Sequence, residues 1–466
     1  MVAEVLVLAL VVSDQTPLRA APRDAAARPA MLSQGDWLEV RGEHLGYLQV
    51  YDHRHELPGY VRPAQVRTYP MDESAVPKLT AVIDFLKDTP GSEALGIGYV
   101  AATLKAAPAS AVGVDLFDAL GTMADRLARR ASVRQKPGDE LAAHLEVAAR
   151  YGLKFASYER EGRTRVCYDG EAFRRVLALG GTPEQLARAA LAVTGPECLN
   201  PEAGPVEAQA IDEWRAGVLD RAPTDRLPAY LANRVKLRRA SVHASLAYQL
   251  ARRGEGASSE KASQRAVEEL AKVDPTELAD EDRAAYPEAA MRVGASRFAA
   301  EPALAPAAGL ALVATAGQPG ETCLTLVDSK KKEQALFERC TYGWVWSASA
   351  RAGPRGDALV VAVQSLPAWT ELWVFHRVGG EWRLDTLAPA VADPAVGYVE
   401  LAGWSPQGDR LLVVREARVE GANKREFQIL DLATLGVQKH ADSMDGLSSF
   451  RRWSLTDWRE RTVALR

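Results

Sequence analysis

The sequence predicts a multidomain α+β protein with three parts: a small β-barrel over residues 9–70, a central α-helical domain over 71–300 carrying one β-hairpin near 153–168, and an antiparallel β domain over 308–466. Three observations predict this. Before Pro70, short runs alternate apolar and polar residues between turn residues, the period-two pattern of half-buried strands. After Pro70 the apolar spacing changes to three and four, the helical period. From about Gly309 alternation returns, now rich in tryptophan. The 466 residues, 47% hydrophobic and 25% charged, exclude a disordered chain, a collagen-like fibre and a multi-span membrane protein. Fifty-seven Lys and Arg against 61 Asp and Glu leave a formal charge of −4, which gives no electrostatic footprint for nucleic acid.

The N-terminal run Val5–Val12 has the length of a signal h-region but lacks a basic flank and a small-residue cleavage site. Residues 1–8 are therefore read as a signal remnant or frayed start, and Leu8–Ser13 as the first strand. No other stretch approaches the ~18 apolar residues of a spanning helix, so no transmembrane segment is expected. The next strand anchors are Leu18–Arg23, Gly35–Val40, Tyr47–Tyr51 and Gly59–Arg62, with Gly35-Asp36 and Gly59 as turns.

In that order, Pro17-Leu18-Arg19-Ala20-Ala21-Pro22, a Gly-led strand at Gly35, an aromatic-led strand at Tyr47 and Gly59-Tyr60-Val61 resemble the bacterial SH3-like (SH3b) module, over about one eighth of the chain. The usual Val between Leu and Arg is missing. Modules of that family often bind cell-wall glycan or peptide, so the resemblance implies an envelope setting. Trp37, Tyr47, Tyr51 and Tyr60 are the candidate ligand groove, since flat rings supply contact area at low entropic cost; the competing reading is that two or more of them are barrel core. His53 and His55, beside Asp52 and Glu56, read as a solvated loop and not as a metal site.

The helical stripes are Leu79/Val82/Ile83/Leu86, Leu116/Leu120/Met123/Leu127 and Leu141/Leu145/Val147/Ala148, followed by Phe173–Leu179, Pro183–Val193, Ile211–Leu219, Leu227–Arg253 and Ser263–Val273. Thr182-Pro183 starts a helix, with Thr as N-cap and Pro at the first helical position. Pro90-Gly91, Gly180-Gly181 and Gly254 mark helix ends. Leu153–Tyr158 and Thr164–Tyr168 alternate around a turn at Glu161-Gly162 and read as a hairpin. The basic residues Arg234, Lys236, Arg238, Arg239, Arg252 and Arg253 interleave with Val235, Leu237, Val242, Leu246 and Leu250, the mark of a core face flanked by compensated charge.

Four cysteines, two in the middle region and two in the C-terminal one, fit two disulfides and an oxidising compartment, periplasmic or secreted. Strands Thr322–Asp328 and Gln334–Thr341 form a hairpin that sets Cys323 opposite Cys340 if Ser329 faces Gln334. A disulfide from Cys167, on the second strand of the middle hairpin, to Cys198 would tie the hairpin to a helix end; the competing reading is four unpaired buried thiols. No CxxC spacing exists, so no zinc site, and no metal or other cofactor, is expected.

In the C-terminal region Trp346-Ser347, Trp404-Ser405 and Trp453-Ser454 recur 58 and 49 residues apart, close to one propeller blade. Trp404-Ser405-Pro406-Gln407-Gly408 resembles the W-S-P-[DN]-G turn of TolB-type and WD40-type blades, with Gln407 in place of the usual acid. Residues 397–442 read as a full blade: Gly397–Trp404, Arg410–Val419, Glu426–Asp431 and Val437–Ala441. A propeller-like domain follows from that resemblance, with strands around Trp453 expected to complete the first blade. Trp214, Trp369, Trp373, Trp382 and Trp458 read as packing residues.

The sequence contains no G-x-S-x-G, H-E-x-x-H, Walker or dinucleotide motif; Gly96 and Gly98 lack a strand–turn–helix setting. As a whole the chain resembles proteobacterial SH3-domain-containing exported proteins, a class without an assigned activity. The expected function is a non-catalytic envelope binding or scaffolding protein whose partner is peptidoglycan or an envelope protein. The alternative is an envelope hydrolase with its site where helices meet the β domain.

Overall fold

The computed structural model describes residues 6–133, 138–160, 162–301, 309–391 and 395–466, and the chain packs as two compact units, Met1–Ala203 and Gly204–Arg466. The helices of the 71–300 stretch are therefore shared between both units.

The first unit begins with seven strands: β1 (Val7–Val11), β2 (Thr16–Leu18), β3 (Ala30–Leu32), β4 (Trp37–His44), β5 (Tyr47–Asp52), β6 (Leu57–Val61) and β7 (Val66–Pro70). Five of them form one sheet in the order β6-β5-β4-β1-β7, while β2 and β3 pair separately. The end strands β6 and β7 do not pair, so the expected barrel is an open sheet among the described residues; the β2–β3 hairpin joins it through the Arg19–Tyr60 bridge and through Leu18 and Leu32, which enter the sheet's core. The first strand begins at Val7, opposite Pro70, one residue before the expected Leu8, and ends at Val11, short of Ser13; most of the 1–8 segment falls on residues 1–5, outside the described ones. One face of the sheet buries Ala9, Val11, Leu38, Val50 and Val61 in its own core.

Helices α1 (Val76–Leu86), α2 (Glu93–Ala106), α3 (Val114–Ser132), α4 (Asp139–Arg150), α5 (Glu171–Leu179) and α6 (Pro183–Val193) follow, with the hairpin β8 (Phe155–Arg160) and β9 (Arg163–Tyr168) between α4 and α5. The predicted α6 start is a full capping box: the Thr182 hydroxyl accepts from the Gln185 N–H, and the Gln185 side chain accepts from the Thr182 N–H. Helix α2 is different in kind. Ten of its 14 residues are buried, so it has no stripe to read. Its glycines serve close approach: a Cβ at Gly96 would collide with Met123 Sδ, and one at Gly98 would lie 2.7 Å from the Gly35 carbonyl. The Cys167–Cys198 disulfide joins β9 to the short turn after α6, as the sequence predicts.

The second unit contains α7 (Pro205–Arg221), α8 (Ala229–Arg252), α9 (Gly256–Ala271) and α10 (Ala285–Ser296). The basic stretch on α8 is compensated within this unit. Arg234 pairs with Asp282 and Glu281, buried Arg239 donates to the Leu219 and Ala222 carbonyls, and Lys236 donates to the Lys272 carbonyl.

Eleven strands follow: β10 (Leu310–Ala316), β11 (Thr322–Asp328), β12 (Lys331–Thr341), β13 (Trp344–Ala352), β14 (Ala358–Leu366), β15 (Trp369–Val378), β16 (Glu381–Leu387), β17 (Gly397–Trp404), β18 (Arg410–Val419), β19 (Ala422–Asp431) and β20 (Val437–Ala441). The Cys323–Cys340 disulfide forms in the expected cross-strand register. The turn does not match: Ser329-Lys330 alone connects the strands, and irregularities around Val327 absorb the extra residues.

The expected completion of the first blade does not occur, and the described strands form no closed propeller. Strands β10–β12 form their own three-stranded sheet, and the meanders β13–β16 and β17–β20 fuse into one eight-stranded sheet. The fusion is a short parallel pairing of β15 with β17, at Trp369↔Gly397 and Thr370↔Tyr398. Hydrogen-bonded edges make one sheet, whereas propeller blades stack face to face. The segment around Trp453 is also helical, as α11 (Ser448–Trp453) and α12 (Thr456–Arg461), not the strands that would have completed a blade. Phe450 packs edge-on against both Phe427 and Trp458, Ser454 bridges to the sheet at Gly403, and the Leu455 N–H donates to the Ala402 carbonyl at 2.8 Å. Trp369, Trp373 and Trp458 are buried, as packing residues should be, while Trp214 is exposed.

Candidate functional site

Alternation along β4–β6 decides where the four candidate rings point. Leu48, Val50, Leu57 and Val61 belong to the sheet core, so Tyr47, Gln49 and Tyr51 take the opposite face of β5. Tyr60 is directly opposite Gln49, and Glu39 opposite Tyr51, which puts Tyr60, Glu39 and Trp37 on that same face. The structure thus brings Tyr47, Tyr51 and Tyr60 together, all half-buried, around the exposed Gln49.

Charge flanks the tyrosines at both ends. The Tyr47 hydroxyl donates to Asp24 Oδ1 at 2.7 Å, Asp24 also pairs with Arg62, and Arg19 lies over the Tyr47 ring. The hydrogen bond from Tyr47, then that from Arg62, hold the Asp24 carboxyl below its usual range. At the other end the Arg41 guanidinium stacks 4.0 Å from the Tyr51 ring centre, and Glu39 takes Arg41 at 3.2 Å and His53 at 2.6 Å. These partners lower the Glu39 carboxyl in the same way. His55 is tied to Asp52 instead, at 2.5 Å, so His53 and His55 serve different carboxylates.

Trp37 shares the face but not the groove. Its ring tilts against Tyr151 at 5.4 Å between centres, and Nε1 donates to the Gly98 carbonyl at 3.2 Å. It belongs to a polar clamp that α2 and α4 place on the Ser33–Trp37 turn. The Tyr151 hydroxyl donates to the Gly35 carbonyl at 2.5 Å, and Arg150 pairs with Asp36 at 2.6 Å. Burial raises the Asp36 carboxyl despite that arginine and the Ser33 N–H. The sequence reading missed this clamp because its contacts join residues 61 to 116 positions apart; the one local signal was the Gly35-Asp36 pair.

Among the described residues, two groups carry metal-ligand side chains in proximity: Glu321 with Cys323 and Cys340, and Asp14 with Glu140 and His144. The first is spent, because both thiols are in a disulfide. No cysteine is free, which removes a thiolate nucleophile from the chemistry available. No described helix is long and apolar enough to cross a membrane. Comparison with family models, curated proteins and solved structures finds no match to the chain.

Proposed function

We propose that this is a non-catalytic binding or scaffolding protein of the cell envelope, whose tyrosine-bearing sheet face acts as an SH3b-like groove for wall glycopeptide. The observation that carries the reading is the grouping of Tyr47, Tyr51 and Tyr60 on one open sheet face, with the Asp24/Arg62 and Glu39/Arg41 pairs at its ends. Rings of this kind stack on sugar faces, and the flanking charges suit the amino and carboxyl groups of a stem peptide. Two disulfides favour an oxidising compartment, periplasmic or secreted. The propeller-like meanders of the second unit offer a further surface on the same scaffold.

The test is cosedimentation with purified sacculi. Wild-type protein is expected to pellet with them, and Tyr51→Ala/Tyr60→Ala to lose at least tenfold in affinity while keeping its far-UV circular dichroism. A wild type that stays in the supernatant, or a double variant that binds equally, overturns the reading.

A further inference from the structure

We infer that Asp14, Glu140 and His144 bind one first-row divalent cation, with zinc the best chemical fit. Glu140 and His144 are four residues apart on α4 and so share a helix face. Asp14 reaches the same point from the turn after β1, and the ligand atoms of the three side chains lie within 4.8 Å of one another.

His144 is the buried member of the set. His144 is 0% exposed, and its Nε2 lies 3.1 Å from both Asp14 oxygens and 3.1 Å from the Gln34 amide nitrogen. The Gln34 amide has its own acceptors, Asp14 Oδ2 at 3.0 Å and the Gly91 carbonyl at 3.4 Å, so it does not compete for the Nε2 lone pair. With the Gln34 backbone N–H donating to Asp14 Oδ1 at 3.0 Å, Gln34 instead holds the carboxylate from behind and aims both its oxygens at the imidazole, as an outer partner of a metal ligand does. Nδ1 has no partner among the described residues, so nothing on the far side of the ring fixes the proton's position.

A cation at this point would take the place of the proton between the imidazole and the carboxylate. It takes the Nε2 lone pair and the Asp14 and Glu140 oxygens together, and two carboxylates balance its charge. Zinc bonds nitrogen and oxygen at about 2.0–2.2 Å, which sets neighbouring tetrahedral ligands roughly 3.3 Å apart. The 3.1 Å between Nε2 and the Asp14 oxygens already matches. Glu140 is exposed and has the freedom to close the remaining gap. One imidazole with two carboxylates suits zinc better than calcium or magnesium, which prefer all-oxygen shells. Sequence spacing could not show this set, since Asp14 precedes His144 by 130 residues.

The test uses the untagged full chain, stripped with a chelator, dialysed against micromolar zinc and read by elemental analysis and thermal denaturation. One zinc per chain and a rise of several degrees in Tm are expected. Asp14→Asn, which keeps the shape of the side chain, should abolish retention. Glu140→Gln, at an exposed position that cannot upset packing, should weaken it at least tenfold, and it decides the matter if Asp14→Asn folds poorly. Absence of stoichiometric uptake by the wild type, or wild-type uptake by Glu140→Gln, overturns the inference.

Discussion

The five-stranded sheet of the first unit and the eight-stranded sheet of the second reach the same kind of order by opposite routes. In the first, β1 sits between β4 and β7, so Leu8 meets Glu39 on one side and Tyr69 on the other. In the second, almost every strand pairs with its successor in sequence, and only the short β15–β17 contact is parallel. The second sheet is held by apolar strands: Val360, Val361, Val374, Phe375 and the run Leu411–Val414 are all fully buried. The first is smaller and leans on the clamp at Ser33–Trp37. A sheet built from successive hairpins tolerates a damaged turn, whereas a sheet with an interior strand inserted from afar, as β1 is, depends on the contacts that fix its turns.

The sharpest way to break this contrast is a pair of glycine substitutions. Gly35 has φ +91°, and a Cβ there would run into the Ala94 carbonyl; Gly380, in the β15–β16 turn, has φ +93° and open space around it. Gly35→Ala is expected to cost about 4 kcal/mol, from backbone strain plus collision. Gly380→Ala should cost only about 1–2 kcal/mol, the left-handed penalty alone. Denaturant midpoints of the two variants give the comparison, and equal losses would contradict it.

Next in size are the disulfides. Cys167–Cys198 spans 31 residues and Cys323–Cys340 spans 17. Chain entropy assigns them about 3.7 and about 3.1 kcal/mol. Paired Cys→Ser replacements should follow that order, with the hairpin one falling further short because its strands are neighbours even without the bond. Thermal denaturation of the two double variants checks the order.

A smaller effect is expected from Trp37→Phe, which removes the donation to the Gly98 carbonyl and should cost about 1–2 kcal/mol without loss of sacculus binding. If binding fell with it, Trp37 would belong to the groove after all.

The smallest effect is a pH dependence at Asp36. Burial places its folded pKa above the unfolded 3.8, so its stabilising contribution is complete below the unfolded value and is lost as pH rises through the folded one. Relative to Asp36→Asn, the wild type should therefore lose stability between about pH 3 and neutrality, as read from denaturant midpoints at each pH. A wild type that gains on the variant over that range would reverse the assignment.

The same contrast explains what the sequence could disclose. Local signals were faithful: β17, β18 and β20 begin and end where the alternation does, Cys323 faces Cys340, and Thr182 caps α6. Long-range ones were silent. Helix α2 has no apolar stripe because it is buried on nearly every side, so its glycines read only as a motif without context. Trp453-Ser454 looked like a third blade turn, yet it lacks the Pro-x-Gly that follows Trp404, and Phe450 and Trp458 find their partners on a helical pair instead. In the candidate groove, alternation was enough to group Tyr47, Tyr51 and Tyr60. The helices that cover Trp37 come from residues 61 and 114 positions later, beyond the reach of any pattern within the strand.

Hydrogen–deuterium exchange with soluble glycan-peptide fragments of peptidoglycan tests the central claim most directly. The account predicts saturable protection confined to β5, β6 and the Glu39–Arg41 segment, absent in Tyr51→Ala/Tyr60→Ala. Unchanged exchange there at saturating fragment, or protection that appears only elsewhere in the chain, would contradict it.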